Sequence, residues 1–193
     1  MSSDEILEVL ELKGAILHGH FRLSSGRHSD LFVQKFRVLE DPQTARSLGE
    51  SLARNFDGDF DVVAAPAVGA IVLGFATALA AEARSIFAER SGDAMVFRRG
   101  FSLGREERVL VVEDVVTTGG SAREVVDLVR ASGARVAGVG ALIDRSEASA
   151  PPDFGAPLRA LVRLKTRSWE PEECPLCAAR HPISDPGSRR LEV

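Results

Sequence analysis

Val109-Leu110-Val111-Val112-Glu113-Asp114-Val115-Val116-Thr117-Thr118-Gly119-Gly120-Ser121 is the stretch whose reading decides the fold. Its four leading apolar β-formers run without interruption, as strands buried on both faces of a parallel sheet do. Thr117 to Ser121 follow as a loop whose two glycines let the backbone turn tightly and approach a ligand closely. Val125, Val126, Leu128 and Val129 then recur at helical spacing. A loop that opens onto a helix N-terminus presents unpaired N–H groups and the positive end of the helix dipole, which suits an anion. The local physics predicts a phosphate held by residues 117 to 121.

Glu113 and Asp114 stand just before that loop, at the carboxyl end of the strand, where open α/β sheets bind their ligands. Two acids beside a phosphate repel it unless they serve another group. Carboxylates accept hydrogen bonds from sugar hydroxyls, or hold a metal that also touches the ligand. A ribose 5-phosphate meets both demands. A plainer reading also fits: Asp114 closes a turn, and Ser121-Ala122-Arg123-Glu124 forms a capping box, which is compatible with a phosphate site. Neither G-x-x-x-x-G-K-[ST] nor a G-x-G-x-x-G after a strand is present.

Outward from this centre, the chain alternates strands and helices. Ser3-Asp4-Glu5 predicts a capped helix that Gly14 ends. Ala15 to Leu23 and Leu31 to Phe36 read as two strands about a turn from Ser24 to Ser29, a hairpin outside the main sheet. Asp41-Pro42 starts a helix, with Asp as cap and Pro at its first position. Asp61 to Ala65 is a short buried strand, Pro66 to Ala70 a loop, and Ile71 to Ala83 a helix. Ser85 to Glu89 is the next strand, and Met95 to Phe101 a ribbon or flap. Beyond the signature helix, Arg135 to Asp144 and Leu158 to Leu164 are further strands. Such alternation argues a parallel α/β sheet.

The totals exclude several classes. A chain of 193 residues defaults to one domain. A formal net charge of -4 argues against general nucleic-acid binding, which wants a basic face. Met1 to Glu8 is acidic and does not read as a signal peptide. Val62 to Ala81 is uncharged and long enough to suggest a membrane span. It holds Pro66, Gly69 and Gly74 and is flanked by Asp61 and Glu82, so strand, loop and buried helix explain it better. Two cysteines make no disulfide framework. Cys174, Cys177 and His181 form a C-x-x-C-x-x-x-H cluster, which is either three ligands of a zinc site needing a fourth from elsewhere or a plain reduced pair in a turn. Asp185 to Arg190 reads as an extended tail, which Trp169 anchors by burying its ring.

Val109 to Ser121 resembles the phosphoribosyl pyrophosphate (PRPP) signature of type I phosphoribosyltransferases. Phe21 to Ser29, followed by Leu31-Phe32, resembles the N-terminal hood of orotate phosphoribosyltransferases. Ala65 to Ala70 resembles that family's pyrophosphate loop, and Asp144-Arg145-Ser146-Glu147 its D-R-x-E segment. The resemblance implies an α/β fold with a parallel sheet, helices on both faces and a small hood. Residues 1–40 would be mostly hood, 41–165 the core and 166–193 a tail. It implies a cytoplasmic homodimeric enzyme of pyrimidine biosynthesis that joins PRPP to orotate with Mg²⁺. In that picture Thr117, Thr118, Gly119, Gly120 and Ser121 hold the 5-phosphate, with Val115 and Val116 leading into them. Glu113 and Asp114 face the ribose hydroxyls, and Ala67, Val68 and Gly69 receive pyrophosphate. Arg145 meets the orotate carboxylate or a ring oxygen, with Thr117, Leu31 and Phe32 near the ring. Mg²⁺ would be bound mainly through PRPP.

Two departures from the family pattern stand out. Many members carry lysine where Ser24 stands, and many carry an R-K-x-x-K-x-H mobile loop where this chain has Phe87 to Asp93 and retains only Arg90. Arg90, Arg98 and Arg99 are candidates to supply the missing charge at the pyrophosphate, or they are solvated surface groups; for Arg145 the plain alternative is an ion pair with Glu147. His18, His20 and His28 have no paired acid or nucleophile motif and read as structural or surface groups. These departures keep open a second reading, a PRPP- or nucleotide-sensing regulator of the same fold with little or no catalysis.

Overall fold

The computed structural model describes residues 1–23, 25–147 and 149–185. Ser24 and the tail from residue 186 onward, two places singled out in the sequence, lie outside the described residues. The chain opens with α1 (Ser3–Leu12), β1 (Ile16–Arg22), β2 (His28–Val33) and α2 (Phe36–Leu39). Then follow α3 (Pro42–Arg54), β3 (Val62–Pro66), α4 (Ile71–Ala80), β4 (Arg84–Ser91), β5 (Ala94–Phe97) and β6 (Arg108–Val116). The last part holds α5 (Gly120–Ala131), β7 (Arg135–Asp144), β8 (Leu158–Arg163), β9 (Ser168–Trp169), a 3₁₀ turn (Pro171–Glu173) and α6 (Pro175–Ala178).

Six strands form the main sheet in the order β5-β4-β3-β6-β7-β8. All pairings among β4, β3, β6, β7 and β8 are parallel; only β5 runs antiparallel, at the edge. Alternate residues of the central strands feed two cores. Val63, Leu110 and Val112 pack with α1, α3 and α4, while Val62, Ala64, Val109 and Val111 pack with Val125, Val126 and Val129 of α5. The uncharged run from Val62 to Ala81 is thereby explained as β3, a loop and α4, and no helix among the described residues is long and apolar enough to cross a membrane.

The hood is a second sheet, β1-β2-β9, all antiparallel. α1 is not part of it: Ile6 and Leu10 are buried in the main core. The cap of α1 is Ser2 rather than Ser3, in a full capping box with Glu5. Asp41 caps α3 as expected, its carboxylate accepting from the Gln43 N–H. Phe36, expected to end a strand, instead opens the one-turn helix α2, whose Val38 and Leu39 enter the core.

Candidate active site

The main sheet reverses its winding between β3 and β6: one crossover leads from β3 outward to β4, and the chain then returns to β6 and continues the other way. Ligands of open α/β sheets sit outside the carboxyl ends of the strands at such a switch point. The loops after β3 and β6 are the two stretches picked out for pyrophosphate and 5-phosphate.

The loop after β6 is open to solvent at Thr117, Thr118, Gly120 and Ser121. α5 begins at Gly120, so its first N–H groups have no partner within the helix. Ser121 does not cap it; the cap position belongs to Gly119, with a φ of 77° and no side-chain hydrogen bond. The expected capping box is therefore absent, because the helix starts a residue earlier than Ser121 and its terminus is left facing outward. Gly119 is required twice over. Its φ favours glycine, and a Cβ there would lie 2.7 Å from Phe154 Cζ and 2.9 Å from Pro152 Cβ. Phe154, 1% exposed, is the floor of this loop, a role that nothing in its sequence context announced.

Glu113 and Asp114 are buried at 8% and 4% exposure. Asp114 forms an ion pair with Lys35, which lies just before α2. Burial, followed by the neighbouring Asp114 charge, pushes the Glu113 pKa up to about 8. The repulsion expected between two carboxylates and a phosphate is thus relieved: one acid is paired with a cation and the other is protonated at neutral pH. Lys35 was missed in the sequence, because a lysine between a strand and a helix start looks like a surface group until the fold brings it onto Asp114.

The loop after β3 closes the same corner. A Cβ on Gly69 would collide with Asp114 Oδ2 and lie 2.5 Å from Lys35 Nζ, so any side chain there would displace the pair. The Ala67–Val68 peptide is cis, and Val68 is 73% exposed. Ala67, Val68, Gly69, Lys35, Glu113 and Asp114 therefore converge, with residues 117 to 121 opening beside them.

Arg145 follows β7, which lies next to β6 with Asp144 opposite Val116. Its N–H donates to the Val116 carbonyl at 2.8 Å, so it stands beside Thr117. Burial lowers the guanidinium pKa from its ordinary value. Its Nε reaches Thr166 Oγ1 at 3.4 Å, and among the described residues no ion pair to Glu147 or another carboxylate is formed. Leu31 turns into the core at 9% exposure, while Phe32 on the opposite side of β2 stays half-buried against the Phe21 ring.

The other candidate arginines are held in ion pairs. Arg90 holds Glu124 through two bonds of 2.8 and 2.9 Å, and Arg98 and Arg99 pair with Glu89. Where many family members carry a mobile loop and this chain departs from the pattern, β4 and β5 form a hairpin, with Ser91 opposite Ala94 and Gly92 at a φ of 60° in the turn.

Residues 39–157 match the phosphoribosyl transferase domain family. Over 192 residues the chain is 45% identical to the orotate phosphoribosyltransferase of Caldanaerobacter subterraneus subsp. tengcongensis, an alignment spanning 99% of this chain and 100% of that protein. The chain belongs to the orotate phosphoribosyltransferase family. A second member, from Pelotomaculum thermopropionicum, is 47% identical over 99% of this chain and 100% of its own length. Among solved structures, the orotate phosphoribosyltransferase of Aeropyrum pernix superposes with a TM-score of 0.69 at 25% identity, covering 83% of this chain and 94% of that one. The type I phosphoribosyltransferase fold, its parallel sheet flanked by helices, is the fold the signature implied.

Proposed function

We propose that this chain transfers the phosphoribosyl group of PRPP to orotate, forming orotidine 5′-monophosphate and releasing pyrophosphate, as a cytoplasmic enzyme of pyrimidine biosynthesis. The observation that carries the orotate half is Arg145: a desolvated guanidinium without a carboxylate partner among the described residues, beside the phosphate loop, suits a planar carboxylate held by a bidentate fork. Residues 117 to 121 take the 5-phosphate. Glu113 and Asp114 take the ribose hydroxyls, and Ala67, Val68 and Gly69 the pyrophosphate. Phe32 and Thr117 border the ring.

The bond from the anomeric carbon to the pyrophosphate oxygen breaks while a bond to the orotate ring nitrogen forms, and that nitrogen's acidic proton passes to solvent. Positive charge grows on the ribose ring and negative charge on the leaving group. Lys35 lies where the pyrophosphate loop meets Asp114 and supplies a fixed cation there. Orotate's ring nitrogen is acidic, so positioning and electrostatics supply most of the rate. The oxygen donors fit Mg²⁺ carried mainly by PRPP, since one acid is paired with Lys35 and the other is protonated. Bound there, Mg²⁺ would neutralise charge on the departing pyrophosphate.

A homodimer belongs to the same reading. α4 leaves Val72, Phe75 and Leu79 exposed at 41%, 59% and 61%, an apolar stripe that a second copy would cover. Sedimentation should then give twice the chain mass. The activity is tested by following orotate absorbance with PRPP and Mg²⁺. Rapid loss that depends on Mg²⁺ and is abolished by Asp114→Asn supports the reading; no loss, with PRPP still bound by calorimetry, would replace it with a sensing protein.

A further inference from the structure

Two imidazoles and two cysteine sulfurs meet where the tail crosses the hood. His20 lies on β1, and His28 opens β2. The register of β1 against β2 shifts between His18 and Phe21, and this bulge turns His20 and Phe21 inward in succession. β9 pairs Trp169 with His28 and so brings the tail alongside, after which the 3₁₀ turn and α6 present Cys174 and Cys177. His20 Nε2 lies 3.0 Å from His28 Nδ1, 3.5 Å from Cys174 Sγ and 3.7 Å from Cys177 Sγ. Cys177 Sγ is 3.3 Å from His28 Nδ1, and all four atoms fall within 4.8 Å of one another.

We propose that His20, His28, Cys174 and Cys177 hold a structural zinc ion that fastens the tail to the hood. With Zn–N near 2.05 Å and Zn–S near 2.3 Å, a tetrahedron sets its donors about 3.4 Å apart for N–N and about 3.6 Å apart for N–S. The four measured separations lie within about half an ångström of those values. His20 Nδ1 is 2.9 Å from the His181 carbonyl. A carbonyl only accepts, so Nδ1 carries the ring proton and Nε2 turns its lone pair to the cluster, as in a metal-bound histidine. The fourth and third ligands are therefore hood histidines. His181 itself, expected as a ligand from its spacing, is exposed and contributes only its carbonyl.

Two sulfurs and two imidazoles select zinc over magnesium, which prefers oxygen, and four protein ligands leave no open position for catalysis. The ion joins positions 20 and 28 to positions 174 and 177. The seam continues through Ser184 N–H to the His20 carbonyl at 2.8 Å, and Arg22 to Asp185 at 2.9 Å. β2 also carries Phe32, so the ion would steady a strand that borders the orotate position.

The test is metal analysis of the full-length protein purified without chelator. The expected result is about one zinc per chain, lost in the Cys174→Ser/Cys177→Ser double variant and kept in His181→Ala. Cobalt(II) exchanged into the wild type should show the visible bands of tetrahedral coordination and thiolate charge transfer. Wild-type protein without zinc that takes up no cobalt, or whose Cys174 and Cys177 are joined in a disulfide, would overturn the proposal. So would a double variant that keeps its zinc. The wild-type measurements stand even where a variant misfolds, and they use no substrate, so they are independent of orotate transfer.

Discussion

Glu113→Gln tests the electrostatic balance of the site. Glu113 is 8% exposed, and burial first, with the Asp114 charge second, raises its pKa from 4.5 to about 8. Between those values the folded protein keeps a proton that the unfolded chain has released, so the folded state binds more protons and stability falls as pH rises through the window. Below about pH 4.5 both states are protonated and the group contributes nothing; above about pH 8 the penalty is complete. Each pH unit inside the window costs at most about 1.4 kcal/mol, the linkage slope for one proton. Glutamine keeps the shape and the oxygen that accepts the Asp114 N–H at 3.0 Å, but has no proton to lose. The variant should match the wild type near pH 4 and be about 2–4 kcal/mol more stable near pH 7.5. Urea titrations across that range measure the difference. A stability difference that does not change with pH would refute the reasoning, since it would mean that Glu113 ionises normally in the folded protein.

Lys35→Met leaves Asp114 buried without its cation; with the lysine 29% exposed, the loss should be about 1–2 kcal/mol in urea unfolding, together with a raised KM for PRPP. Gly119→Ala should cost about 1–3 kcal/mol and weaken PRPP binding in calorimetry, because its φ is unfavourable for alanine and its Cβ meets Phe154 and Pro152. Gly49→Ala reverses the usual helical preference. Its Cβ would lie 2.6 Å from the Ala76 carbonyl oxygen, so the α3–α4 contact should lose about 1–3 kcal/mol by thermal or urea melts where propensity alone would add about 1 kcal/mol.

Periodicity made the core legible. Buried runs such as Val62 to Ala65 and Val109 to Val112 carry the strand signal in themselves, and Asp41-Pro42 carries its helix start. The loop after β6 was legible because glycine spacing and adjacent acids are local. What escaped depends on distant parts of the chain. Lys35 acquires meaning only when the fold brings it onto Asp114, and Phe154 only when its ring fills the space under Gly119. The proposed zinc ligands show the same limit: Cys174 and Cys177 are visible as a pair, but the placing of His20 and His28, rather than the nearby His181, beside them depends on a bulge in β1 and on the pairing of β9. The strand expected to end at Glu89 runs on to Ser91 because a two-residue turn at Gly92 pairs it with β5.

The measurement that bears most directly on the central claim is steady-state kinetics of Arg145→Ala with orotate and PRPP varied independently, beside calorimetry of PRPP binding. Removing a charge-assisted fork should raise the KM for orotate by about 30–100-fold and leave the PRPP affinity within about twofold. An unchanged KM for orotate, or an equal loss of PRPP binding, would contradict the placement of orotate at the end of β7 beside the phosphate loop.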